Sequence, residues 1–167
     1  MLPDEKRQVG NVRSAMEAGV FIDIFWSRRD PDPSLPGNAF LRRFRRRVYE
    51  ADQLYGEAGV AGSLTDRGGA LVLFGSPSRI RITSRPALSW DPSLGDPHDA
   101  ARERVNVEIW SFAPDELPPG MLERFDEKDA EREDGVTFVF TTVGPRSVLS
   151  EGAQYLRTAA RAAVGID

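Results

Sequence analysis

The sequence predicts an α+β fold from three features: helical spacing of apolar residues in the first third, alternating or β-branched runs in the middle, and helical spacing again at the end. The expected architecture is a set of N-terminal helices packed on an antiparallel sheet of about four strands, with a C-terminal helix. A chain of 167 residues with no internal repeat and no linker is expected to form one domain, 1–167.

Ser14-Ala15-Met16-Glu17 has the pattern of a capping box and opens the first expected helix. Val20, Phe21, Ile24 and Phe25 form one stripe of that helix, and Ile22 and Trp26 form a second. Two apolar sides predict burial on two sides. The helix should stop near Arg29, because Asp30 precedes Pro31 and a residue before proline avoids the α region. Three prolines between Pro31 and Asn38 exclude regular structure there. Asn38 is the expected N-cap of a second helix over 39–55, with Phe40, Phe44, Val48, Ala51 and Tyr55 at helical spacing and Gly56 ending it.

After Gly62 the period changes. "ALVLF" (70–74), "RIRIT" (79–83), "VNVEIWSF" (105–112) and "VTFVFTTV" (136–143) read as strands, from apolar runs, alternation or β-branched content. Residues 84–104 read as a long polar connection. A last helix is expected over about 150–164, with Ala153, Leu156, Ala160 and Val164 on its apolar face.

Composition narrows the functional classes. Apolar residues make up 40% and charged residues 29%, the balance of a globular chain rather than a disordered one. No apolar run approaches the roughly 20 residues of a membrane span, so membrane insertion is not expected. The first residues lack the apolar segment of a secretion signal; the chain is expected to be cytoplasmic unless a leader has been removed. With no Cys, disulfides, thiolate catalysis and Cys-held metals are excluded. Net charge is −4, and the segment 126–135, with six acids and two bases, carries that much by itself.

Two clusters of polar residues invite a functional reading. Arg29, Asp30, Asn38 and Arg47 could form a ligand-binding constellation, or could brace the corner between two helices, with Asp30 accepting from turn backbone and from an arginine. The bracing reading is preferred. In "LTDRGG" (64–69), Asp66 and Arg67 precede what reads as a strand, whereas a phosphate cradle wants a glycine-rich loop, a Lys and a helix N-terminus. Arg67 is expected to pair with Asp30 or Glu108. The five arginines of "RRFRRR" (42–47) could touch nucleic acid, but a solvated helix face is the preferred reading and nucleic-acid binding is not expected. His98 stands in a loop with Asp91, Asp96 and Asp99, without EF-hand spacing or a second His, so no metal and no cofactor is expected. The sequence has no Gly-x-Ser-x-Gly elbow. Paired carboxylates keep an enzyme open, and no catalytic residue is assigned.

The order of motifs resembles one bacterial family, the GWxTD-domain proteins. "FIDIFWSRRDPDP" looks like that family's Phe-Trp-x-x-Arg-Asp-Pro opening, and "NAFLRRFRRRVYEADQLYG" resembles its Asn-Glu-Phe helix. "GSLTDRGGALVLFGSP" resembles the naming motif with its Asp-Arg-Gly, and "VEIWSF" its Glu-Ile-Trp-x-aromatic strand. The likeness covers a core of about 14–143. It departs at Ser63, where the motif has Trp, and at Ala39 and Asp52 in the helix. The resemblance implies a domain of unknown function set in the periplasm or cell envelope.

The expected function is a non-enzymatic interaction or assembly module with a protein partner, bound at a sheet edge or at the aromatic face of Trp110 and Phe112. Two alternatives stand beside it. One is a hydrolase or small-ligand domain with a pocket of Arg29, Asp30, Asp66, Arg67 and Glu108. The other is nucleic-acid binding through the Arg-rich helix.

Overall fold

The computed structural model describes residues 3–86, 104–117 and 135–163. His98, the acidic run up to 134 and Val164 lie outside the described residues. Four strands form one antiparallel meander: β1 (Arg79–Pro86), β2 (Arg104–Phe112), β3 (Val136–Val143) and β4 (Arg146–Glu151), in the order β1-β2-β3-β4. The α-helices of the described residues are α1 (Pro3–Asn11), α2 (Ala15–Ser27), α3 (Ala39–Tyr55), α4 (Asp66–Phe74) and α5 (Ala153–Ala163). This is the expected α+β architecture: N-terminal helices, a four-stranded antiparallel sheet and a C-terminal helix. Among the described residues no helix is long and apolar enough to cross a membrane.

Alternation along the strands decides which side chains enter the core. Ile80 and Ile82 stand opposite Trp110 and Glu108, which stand opposite Phe138 and Phe140, and Phe140 opposite Leu149. These residues share the sheet face covered by helices. Trp110, Phe112, Phe138 and Phe140 are buried there with Ala51 of α3, Leu71 and Phe74 of α4, and Tyr155 and Ala159 of α5. The rings meet at angles, as in Phe74 against Phe138 at 5.0 Å and Trp110 against Phe140 at 5.1 Å.

Three expectations are corrected. "ALVLF" is the end of helix α4, not a strand, and the fourth strand is β4. A short apolar run fits a buried helix as well as a strand. Here Thr65 caps the helix start, its side chain accepting from the Gly68 N–H, and Ala70, Leu71 and Phe74 are buried at helical spacing. Helix α2 does begin at the Ser14–Glu17 capping box and ends at Ser27, but none of its residues is buried. Only Trp26 reaches the α3 rings of Phe40 and Phe44, at 6.0 and 5.0 Å, and Met16, Val20 and Ile24 face outward. In α5 the inward face is Tyr155 and Ala159, with the expected Leu156 half-buried against the core and Ala160 exposed. Helix α1 had no counterpart in the sequence reading.

Candidate functional site

The polar residues singled out by sequence fall into three groups. No hydrogen bond or ion pair joins one group to another among the described residues.

The first group sits where α1, α2 and α3 meet. Asn38 donates from Nδ2 to the Trp26 carbonyl at 2.6 Å, and its Oδ1 accepts from the Leu41 N–H at 2.9 Å. One side chain therefore satisfies the end of α2 and caps the start of α3. Arg29 does not pair with Asp30. Its guanidinium forks onto Glu5 of α1 at 3.0 and 3.1 Å and lies 3.6 Å from the Phe25 ring centre. Glu5 is 1% exposed. Among the described residues Asp30 accepts only from its own turn, from the Asp32 N–H at 3.2 Å. Among the described residues the expected Arg–Asp30 brace is therefore absent; the nearer arginine already has a buried carboxylate in Glu5, delivered by a helix not expected from the sequence.

The second group is Arg47 with the end of α4. The guanidinium donates to the carbonyls of Val72, Leu73 and Phe74 at 3.2 to 3.5 Å. These are the carbonyls a helix C-terminus leaves unpaired, and a cation suits that end of the dipole. Burial lowers the Arg47 pKa, with Arg43 and Arg46 adding to the effect, yet an arginine keeps its charge. At Gly75, with φ 93°, a Cβ would stand 2.6 Å from the Arg47 guanidinium, so only glycine leaves that cap in place.

The third group joins α4 to the sheet. Arg67 donates to Glu57 at 2.6 Å and to Glu108 of β2 at 3.0 Å, and its guanidinium lies 5.0 Å from the Tyr55 ring centre. The other oxygen of Glu108 accepts from the Trp110 indole N–H at 2.6 Å. Burial opposes the charge on Arg67, but the Glu57 and Glu108 carboxylates outweigh it and raise the pKa. Burial, then the Glu108 charge, raises the pKa of Tyr55. Of the two expected partners for Arg67, Glu108 is present and Asp30 is not.

The same group reaches β4. The second Glu57 oxygen accepts from the Ser147 N–H at 2.7 Å, and Asp66 accepts from the Leu149 N–H at 2.7 Å. Ser147 and Leu149 are two apart, so both amides point away from β3. Two carboxylates thus occupy the outer edge of β4. Glu57 itself is held by a tight turn, in which it exchanges hydrogen bonds with Val60 while Ala58 and Gly59 sit at φ 48° and 78°.

The motif around Gly62 explains itself in packing. A Cβ on Gly62 would stand 1.9 Å from the Ala51 carbonyl, and one on Gly68 1.7 Å from the Gly62 carbonyl. Both positions must be glycine for the start of α4 to lie against α3. Thr65 donates to the Gly62 carbonyl at 2.7 Å, and Ser63 donates its N–H to Asp52 at 2.7 Å. The loop does lead into a helix N-terminus, contrary to the strand expected. Thr65 and Asp66 fill that terminus, and it carries no Lys.

Trp110 and Phe112 are both 0% exposed. They are core beneath the helices and present no interaction face, which corrects the aromatic-face reading. Helix α3 turns Arg47 inward, pairs Arg46 with Glu50 at 3.6 Å, and leaves Arg42, Arg43 and Arg45 exposed. Sequence reasoning missed Glu5 and Glu57. Pro3-Asp4-Glu5 has the proline-then-acid pattern of a helix start and could have found the first. Nothing local marks Glu57, whose side-chain partners Arg67 and Ser147 lie 10 and 90 residues away. No protein-family model, no curated protein and no solved structure matches the chain.

Proposed function

We propose that this chain is a non-enzymatic interaction module that takes up an extended protein segment on the free edge of β1. The observation that carries the reading is the asymmetry of the two sheet edges. On β4 the outward amides of Ser147 and Leu149 are held by Glu57 and Asp66. Strand β1 pairs with β2 along its whole length and has no neighbour on its other side among the described residues, and Arg79–Ser84 are all exposed. An unpaired edge offers a row of backbone donors and acceptors, and strand addition is the binding mode that uses them. Ile82, 73% exposed on the helix side of the sheet, offers an apolar contact beside that row.

The polar residues support this reading by what they already hold. Asn38, Arg47, Arg67 and Glu108 each make hydrogen bonds within the fold, which weighs against the small-ligand alternative. The ordered motifs further lead us to infer kinship with the GWxTD-domain proteins, and with it a cell-envelope setting.

The test is selection of binders from an unbiased library of extended peptides on the full chain, followed by amide-resonance mapping. The reading expects bound peptides to shift β1 amides and leave those of Ser147 and Leu149 in place. Binders that map to β4 or to α2, or a library that yields none, would contradict it.

A further inference from the structure

We infer that the segment taken up by β1 alternates acidic with apolar residues; this rests on the edge reading above and specifies its partner. The argument is the distribution of side chains on β1. Arg79, Arg81 and Arg85 stand opposite Ser111, Ile109 and Val105, on the sheet face away from the helices. Ile80 and Ile82 stand opposite Trp110 and Glu108, on the helix side, and are 47% and 73% exposed. Arg85 is engaged with Thr141 at 3.0 Å across the sheet. Arg79 and Arg81 are exposed and have no carboxylate partner among the described residues.

A strand added to β1 places its own side chains alternately beside these two rows, because residues directly across share a face. Acidic residues then meet Arg79 and Arg81 on one face while apolar residues cover Ile80 and Ile82 on the other. Opposite charges across a strand pair are favourable and like charges are not. The rule also works against a second copy of this chain. Two β1 strands joined antiparallel, with their helices on the same side, would bring arginine rows together. The arginines therefore select against self-pairing as well as for an acidic guest.

The test uses the full chain and two designed, end-blocked peptides of about ten residues, one alternating Glu with Val and one alternating Lys with Val. Titration at low salt should give at least about tenfold tighter binding of the Glu peptide, a gap that narrows as salt screens it. The double variant Arg79→Glu with Arg81→Glu should reverse the preference; both sites are exposed, so an unchanged melting curve serves as its folding control. Equal affinity for the two peptides, or preference for the Lys peptide by the unaltered chain, overturns the inference while leaving an edge that binds strands. Failure of both peptides to bind also overturns it, and the library selection then decides the edge reading separately. Library binders that map to β1 without acidic alternation would sink this inference alone.

Discussion

Arg67 and Glu108 join the first turn of α4 to the middle of β2, guanidinium to carboxylate at 3.0 Å, with the Trp110 indole holding the far oxygen of Glu108. The pair is the centre of a brace that runs from Glu57 to the sheet. Its Glu57 and Glu108 side chains are only 9% and 19% exposed.

Removing the arginine strands two largely buried carboxylates. Arg67→Ala should cost about 3 kcal/mol, the scale for breaking a buried pair by deleting one partner. Arg67→Met with Glu108→Gln should cost less than the sum of the single changes, because each single change leaves an unpaired group. Denaturant midpoints of the four proteins measure that coupling, and strictly additive effects would contradict the brace.

Asn38 and Asp30 occupy the same corner with very different duties. Asn38→Ala loses the cap of α3 and the tie to the Trp26 carbonyl, which keeps the Arg29 N–H at 3.0 Å, for an expected cost of about 1–2 kcal/mol. Asp30→Ala should cost about 0.5 kcal/mol or less, the range for a side chain away from such features. Thermal melts of the two variants distinguish them, and equal losses would restore a bracing role to Asp30.

Ala58 sits at φ 48°, a conformation that costs an L-residue about 1–2 kcal/mol and glycine almost nothing. Ala58→Gly also gives the unfolded chain more freedom, which offsets part of the gain. A net stabilisation of about 0.5–1 kcal/mol is expected from the denaturation midpoint. A loss of stability would mean that the turn presenting Glu57 is built differently.

Asp52 accepts from the Ser63 backbone first and its side chain second, and both hold its pKa below the ordinary carboxylate value. A depressed folded pKa stabilises above the unfolded value of about 4, and that contribution is lost as pH falls through the lowered folded value. Wild type should therefore exceed Asp52→Asn in stability by a constant margin from pH 7 to about 5, and the margin should close below about pH 4. Chemical denaturation across that range checks the sign; a margin that persists at pH 2 would contradict it.

What the sequence disclosed follows the range of the interactions. The Ser14 capping box and the Asn38 cap act over three residues, and both are present. The strands 105–112 and 136–143 carry their pairing in local alternation or β-branched content, and both pair as strands. The run 70–74 was ambiguous by itself, and its helical state depends on Thr65 and on two glycines whose contacts lie in α3 and in the preceding turn. The hidden carboxylates, Glu5 and Glu57, act across 24 and 90 residues. No periodicity reports such distances. The two-sided apolar pattern of α2 was read correctly as a pattern, but pattern alone does not supply a partner to cover it.

Residue-resolved amide hydrogen exchange on the full, unliganded chain compares the two sheet edges directly. The amides of Ser147 and Leu149, held by Glu57 and Asp66, should exchange slowly, while every second amide of β1 exchanges fast. Uniform protection along β1, or rapid exchange at Ser147 and Leu149, would contradict a sheet with one closed edge and one open edge.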